Sequence, residues 1–392
     1  MGAKRLRLGL RGAAGLALLL LTPAGLLPHQ GAPALAAKPA KGGKAIVGYY
    51  ADWDNYCSAC LSLTRVPFGH LSALIFAFAD ASKDSCALRT GDATRDFPIL
   101  RRARRRYPRL QVLLSVNSSG SGSSFADAVS SGRRIDRLVA NCDRVIRSSH
   151  VFSGVDIDWE GPHTSRERRE YTALIRAFRR RLGRAAPVTA AVSTYFNIDW
   201  KHVGPLLSWI NLMTYDFHGP WGDRVTDFLA PVRANPRDPE YKHGYSVVGN
   251  LDRLIHHDGV RPGKVMLGIP FYGRGYAGVR PRNRGLYQPY SGPTSFGTIG
   301  PGVFEYRDLV AHYIGKEGYR RYGPDRYSQE SWLYRPGKRG GIFISFDAPS
   351  TIRAKVALIR SYHLAGAMVW DLADDTLNPK TSLLTALARS LR

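Results

Sequence analysis

The chain lacks any unbroken apolar run near the roughly 20 residues a membrane-spanning helix requires, so no stretch of it reads as a span. Cysteine is scarce: Cys57, Cys60, Cys86 and Cys142 are the only four. Cys57 and Cys60 form a C-x-x-C pair, but no second pair or nearby histidine completes a zinc site. No metal and no cofactor are therefore expected. An even number of cysteines suits disulfides, and all three connectivities stay open. Acidic residues are also few, with 31 Asp and Glu against 56 Lys and Arg, for a formal net charge of +25. Such an excess favours an anionic partner such as nucleic acid, cell wall or acidic polysaccharide. No nucleic-acid motif accompanies it, and nucleic acid is set aside. The arginine runs Arg101-Arg102-Ala103-Arg104-Arg105-Arg106 and Arg179-Arg180-Arg181 read as solvated helix faces. Internal repeats are absent.

What is present begins with a leader. Lys4, Arg5, Arg7 and Arg11 precede the apolar run Leu16 to Leu21, and Ala34-Leu35-Ala36 offers small residues where a signal peptidase reads. That order predicts a secretory signal peptide over 1–36 and a secreted protein, extracellular or associated with the cell wall, with no membrane segment after cleavage. Residues 37–44 read as a linker.

Beyond the linker, β-like apolar runs alternate with helical stretches. The runs are Ala45-Tyr50, Leu71-Ala79, Val112-Val116, Gly154-Trp159, Val188-Ser193, Trp209-Tyr215, Val265-Pro270 and Gly366-Trp370. Helices are predicted over 124–147, 165–183, 247–257 and 350–362. In the second, Tyr171, Leu174, Ile175, Phe178 and Leu182 share one apolar face, opposite Arg169, Arg176 and Arg180. Eight strands with covering helices predict an α/β (β/α)8 TIM barrel over 45–275 and 343–392. The connection 51–70 has no convincing helix. The seventh connection is too long for a simple loop and predicts a small α+β insertion over 276–342, with one helical stretch near 306–315.

The informative segment is Ser153-Gly154-Val155-Asp156-Ile157-Asp158-Trp159-Glu160. Side chains alternate along a strand, so Asp156, Asp158 and Glu160 share one face, while Val155, Ile157 and Trp159 point towards the covering helices. Three carboxylates in a row are unfavourable unless a proton is shared or a ligand neutralises them. Their repulsion raises at least one pKa, as a general acid at neutral pH requires. Glu160 comes last, at the C-terminal end of the strand, where barrel active sites are built. A Ca²⁺ or Mg²⁺ site is the rival reading; it fits less well, because the intervening residues are apolar.

This segment resembles the D-x-x-D-x-D-x-E signature of family 18 glycoside hydrolases, the chitinase family. Further matches follow in order: Gly48-Tyr49-Tyr50 with Trp53, Phe76-Ala77-Phe78, Met213-Thr214-Tyr215-Asp216, Leu267 to Arg274, Ser345-Phe346-Asp347, and Gly366 to Trp370. Two positions depart from the family pattern. Ser153 replaces the first Asp, and the third strand reads Ser115-Val116-Asn117-Ser118 where the family has S-x-G-G; both are expected to touch support for the carboxylate row.

The resemblance implies substrate-assisted, retaining hydrolysis of β-1,4 N-acetylglucosamine linkages. It assigns Glu160 as acid and base, Asp158 as stabiliser of the substrate's acetamido group, and Asp156 as the partner sharing its proton. The Tyr215 hydroxyl would hold the acetamido oxygen, Asp216 would position the sugar, and Trp370 would form its floor. Met213, Tyr50, Trp53, Trp221, Tyr272 and Arg274 complete the expected substrate contacts. The partner is then an N-acetylglucosamine polysaccharide such as chitin, met by a monomer. Two alternatives are hydrolysis of such linkages in peptidoglycan or N-glycans, and a non-catalytic lectin on the same fold.

Overall fold

A computed structural model describes residues 43–56, 61–118, 122–222 and 224–392. The expected leader 1–36, nearly all of the linker 37–44, and Cys57 and Cys60 lie outside the described residues. The eight apolar runs form eight strands: β1 Ala45–Ala51, β2 Ala73–Asp80, β3 Gln111–Asn117, β4 Gly154–Ile157, β5 Val188–Val192, β6 Ile210–Leu212, β7 Val265–Pro270 and β8 Gly366–Trp370. Neighbours pair in parallel and the ring closes in the order β1-β8-β7-β6-β5-β4-β3-β2.

The strands are buried on both faces because both are covered. Val47, Tyr49, Ile75, Leu113, Trp209, Met266 and Met368 fill the barrel interior. Ile46, Leu74, Leu114, Val155, Ile157 and Val188 meet the surrounding helices. Gly154 opens β4 at a close approach: a Cβ there would lie 2.1 Å from the Pro187 carbonyl oxygen. Strand pairing of β4 ends at Ile157, yet the Asp158 amide still donates to Val116 O at 2.9 Å. The alternation therefore carries on to Asp158, beyond the strand's last paired residue.

The outer layer includes α1 Asp92–Arg106, α2 Gly122–Ala128, α3 Gly132–Ser149 and α4 Ser165–Leu182. α4 starts with a capping box between Thr164 and Glu167 and buries Tyr171, Leu174, Ile175 and Phe178, as its periodicity predicts. The single helix expected over 124–147 is instead two. Ser131 ends the continuity by adopting an extended backbone and accepting from the Arg134 amide as N-cap of α3, which is where serine competes best with a helix interior. Cys86 bonds Cys142, tying the connection after β2 to α3. Among its described residues, the link between β1 and β2 holds short 3-10 turns and no longer helix.

The insertion is an antiparallel sheet in the order Val303–Glu305, Tyr272–Val279, Gly341–Phe346, Ser331–Arg335 and Arg320–Tyr322. Its bounds are wider than the expected 276–342. The chain leaves β7 at Pro270 and pairs Gly273 with Phe346 almost at once, so Tyr272 and Arg274 belong to the insertion rather than to the barrel.

Candidate active site

At the C-terminal mouth of the barrel, the carboxylates of the acidic segment stand in three different environments. Asp156 is fully buried and its oxygens accept four hydrogen bonds. Tyr49 Oη (2.7 Å) and Ser115 Oγ (2.9 Å) donate to Oδ2, while Thr189 Oγ1 (2.5 Å) and Asn211 Nδ2 (3.1 Å) donate to Oδ1. Burial raises its pKa and these donors work against that rise. Asp158 has one donor, Asn117 Nδ2, at 3.1 Å from Oδ2; its buried Oδ1 has no partner. Burial first, then the charges of Glu160 and Asp156, hold the Asp158 carboxyl well above the usual range. Glu160 opens to solvent, yet the surrounding wall first and the Asp216 charge second push its carboxyl upward. From the buried floor at Asp156 to the open mouth at Glu160, all three carboxyls are thus shifted upward, with burial the first cause for each.

A cavity of about 350 Å³ lies over this row, lined by Asp158, Glu160, Met213, Tyr215, Asp216, Trp53, Tyr272, Arg274 and Trp370 among others. Burial and the Asp158 charge keep the Tyr215 hydroxyl protonated, with its pKa well above the usual phenol value, so it remains a donor. Phe78 stacks on Trp370 with centroids 5.8 Å apart, and Trp53 packs on the same indole at 6.4 Å. Flat apolar rings of this kind suit the C–H faces of a pyranose. On the opposite side Asp216 is gripped by Arg274 and Tyr272 of the insertion.

Two expected contacts are placed elsewhere. Tyr50 is fully buried against the helices, its hydroxyl donating to Leu61 O at 3.2 Å; strand alternation turns the neighbouring Tyr49 inward instead. Trp221 is 56% exposed and does not line the cavity, although the Arg274 guanidinium lies 4.9 Å from its ring centre. Ser153 also falls short of the role expected for it: its Oγ accepts from the Val112 amide at 3.5 Å and makes no hydrogen bond to the carboxylates. The altered third strand does support the row, through Asn117, while Ser115, which keeps the family's serine, supports Asp156. Tyr49, Thr189 and Asn211 were missed, although Thr189 and Asn211 are polar residues at inward positions of apolar strands, which could have flagged them. Phe78, Asp54 and Asp371 also line the cavity. Among the described residues, the only group arranged to hold a cation lies elsewhere, at His218, Asp227 and Asp238.

Residues 45–375 match the profile of Glycosyl hydrolases family 18. The chain belongs to family 18. It is 31% identical to Chitinase A1 of Niallia circulans over 70% of this chain and 42% of that protein. It is 27% identical to Chitinase B of Serratia marcescens over 88% of this chain and 83% of that protein. Among solved structures, Chitinase ChiA74 from Bacillus thuringiensis superposes with a TM-score of 0.80 at 25% identity, over 89% of this chain and 70% of that one. The chain thus spans less than half of Chitinase A1 and most of Chitinase B. The family 18 match encloses every cavity residue named above.

Proposed function

We propose that this family 18 chain is a retaining hydrolase of β-1,4-linked N-acetylglucosamine polymers, chitin or its oligosaccharides, acting by substrate-assisted catalysis. The observation that carries the reading is Asp158 Oδ1: a buried carboxylate oxygen without a partner, between a fully supported Asp156 and an accessible Glu160. Such an oxygen is costly to bury unless a donor arrives, and the acetamido N–H of the substrate is a donor of the right kind.

Glu160 gives its proton to the glycosidic oxygen as the bond to the anomeric carbon breaks. The substrate's own acetamido oxygen closes on that carbon, giving an oxazolinium ion without an enzyme nucleophile. Tyr215 donates to the acetamido oxygen. Asp158 accepts its N–H and offsets the positive charge, backed by Asp156, with which it titrates as a unit. Glu160 then takes a proton from water as the water attacks, and configuration is retained. Trp370 floors the reacting sugar; Trp53 and Tyr272 serve flanking subsites. The leader-like segment supports action outside the cell. The +25 charge favours one second substrate, anionic peptidoglycan.

Hydrolysis of N-acetylglucosamine oligomers by wild type and by Glu160→Gln tests the proposal. Wild type is expected to release sugar, and the variant to bind without release. Binding without hydrolysis in both proteins sinks the enzymatic reading. Turnover of peptidoglycan but not of the oligomers replaces the substrate.

A further inference from the structure

The described residues of the stretch 213–246, between β6 and the helix Val247–Asp252, contain one 3-10 turn at Tyr241–His243 and no other helix or strand. Connections so long without structure of their own are uncommon inside a compact barrel. This one is nevertheless packed in, with Phe228, Leu229 and Ala230 almost fully buried. Within it, His218, Asp227 and Asp238 are only 1%, 3% and 7% exposed. Their facing ligand atoms all lie within 4.8 Å of one another.

The carboxylates are aimed. Asp227 Oδ1 accepts from the Phe228 amide at 2.6 Å, and Asp238 Oδ1 accepts from the Glu240 amide at 2.7 Å. Each therefore presents Oδ2 to the His218 ring, at 3.9 and 4.0 Å from Nε2. Asp227 Oδ2 is buried and has no hydrogen-bond partner. Across the loop, the Phe217 amide donates to Leu229 O at 2.9 Å, which fixes His218 beside Asp227. Among the described residues no lysine or arginine pairs with either carboxylate. Burial first and the neighbouring Asp238 carboxyl second disfavour a charge on Asp227, a cost that a cation would relieve, and the His218 ring, 3.9 and 4.0 Å from the two carboxylates, is too far for a direct hydrogen bond.

We propose that His218, Asp227 and Asp238 bind one divalent cation of the zinc class, which staples this loop. One imidazole nitrogen and two carboxylate oxygens suit zinc better than the all-oxygen ions. Two carboxylates, a neutral histidine and M²⁺ sum to zero charge. Tetrahedral ligation requires ligand atoms about 3.4 Å apart at bond lengths near 2.0–2.1 Å, so binding draws each carboxylate about half an ångström towards the histidine. The backbone donors on the outer oxygens are the kind of outer contact that orients metal ligands. The loop begins at the cavity residues Met213, Tyr215 and Asp216 and carries Trp221. The cation thus acts on the site by holding the wall, with no part in bond cleavage.

The test uses untagged full-length protein and Zn²⁺. Wild type is expected to retain about one zinc per chain after gel filtration, read by mass spectrometry of the metal. Chelation should lower Tm by roughly 5 °C, and added Zn²⁺ should restore it. Asp227→Asn should lose both the zinc and the response to chelator, while Glu160→Gln keeps both and lacks hydrolysis, which separates this proposal from the catalytic one. A wild type whose Tm answers neither chelator nor Zn²⁺ overturns it, as does zinc retention unchanged in Asp227→Asn. Should Asp227→Asn not fold, calorimetric titration of chelated wild type decides: one saturable zinc site per chain, absent in His218→Gln, upholds the proposal, and any other result refutes it.

Discussion

Asp216 and Arg274 form a two-pronged ion pair across the seam between barrel and insertion. Arg274 Nε donates to Oδ1 at 2.8 Å and Nη2 to Oδ2 at 2.7 Å, while the Tyr272 hydroxyl adds 2.9 Å to Oδ2. Asp216 needs that grip, because its backbone sits at φ +54°, a left-handed conformation that Asp tolerates better than most residues. The residue expected to position the sugar is thus itself positioned by the insertion.

Removing the grip should cost binding more than chemistry. Arg274→Ala is expected to raise KM about 10-fold on N-acetylglucosamine oligomers with a smaller change in kcat; the pair is partly exposed, so the loss lies at the low end for a charged hydrogen bond. Arg274→Lys should recover little, since an ammonium cannot reproduce the planar fork. Steady-state kinetics of the two variants check this, and full recovery by lysine would contradict it.

The Asp216 charge also raises the Glu160 pKa. In the proposed mechanism Glu160 must carry its proton to act, so activity should fall as pH rises through that pKa. In Asp216→Asn the negative charge is gone, the Glu160 pKa drops, and the alkaline limb of the kcat/KM profile should move to lower pH. Freed from its partner, the Arg274 cation pushes in the same direction. A limb that stays in place, or moves up, rules out this coupling.

Tyr49 and Asp156 make a third test. Tyr49→Phe removes one of four donors to a buried carboxylate, a loss of about 1.5–3 kcal/mol for a hydrogen bond to a charged group. Less support for the Asp156 anion weakens its backing of Asp158, and kcat should fall about 10-fold or more while oligomer binding by Glu160→Gln/Tyr49→Phe stays near that of Glu160→Gln. Tyr50→Phe, whose hydroxyl donates to the Leu61 carbonyl away from the carboxylate row, should leave kcat nearly unchanged.

That contrast shows where the sequence stops being legible. Period-2 alternation was readable in the acidic segment because Val155, Ile157 and Trp159 are apolar and pack outward, while Asp158 and Glu160 line the cavity. In β1 the residues Ala45-Ile46-Val47-Gly48-Tyr49-Tyr50 are apolar on both faces, and nothing in the pattern says which tyrosine turns inward. The barrel was readable from its eight apolar runs, whereas the insertion's edges were not, since β7 passes into the antiparallel sheet with hardly a turn residue between Pro270 and Tyr272. Asn117 was noticed as a departure while Ser115 keeps the family's serine, but their hydrogen bonds to different carboxylates depend on the register of β3 against β4, with Ser115 opposite Asp156.

A last consequence concerns pH and stability. Beside the cavity, Asp54 and Asp371 are nearly buried. Burial first and the Asp371 charge second push Asp54 up to about 9, and burial pushes Asp371 up to about 7. Glu305 and Asp374 close by are shifted in the same direction. In the unfolded chain both aspartates titrate near 4. Below that pH they are protonated in either state and their contribution is fully present. Between about 4 and 9 the folded protein binds more protons than the unfolded chain, so stability falls as pH rises through the window. Asp54→Asn stays neutral throughout and should flatten the fall, with Tm between pH 5 and pH 9 dropping roughly 5 °C less than in wild type. Thermal unfolding of both proteins across that range decides the matter, and parallel curves would show that Asp54 carries no excess proton in the folded state.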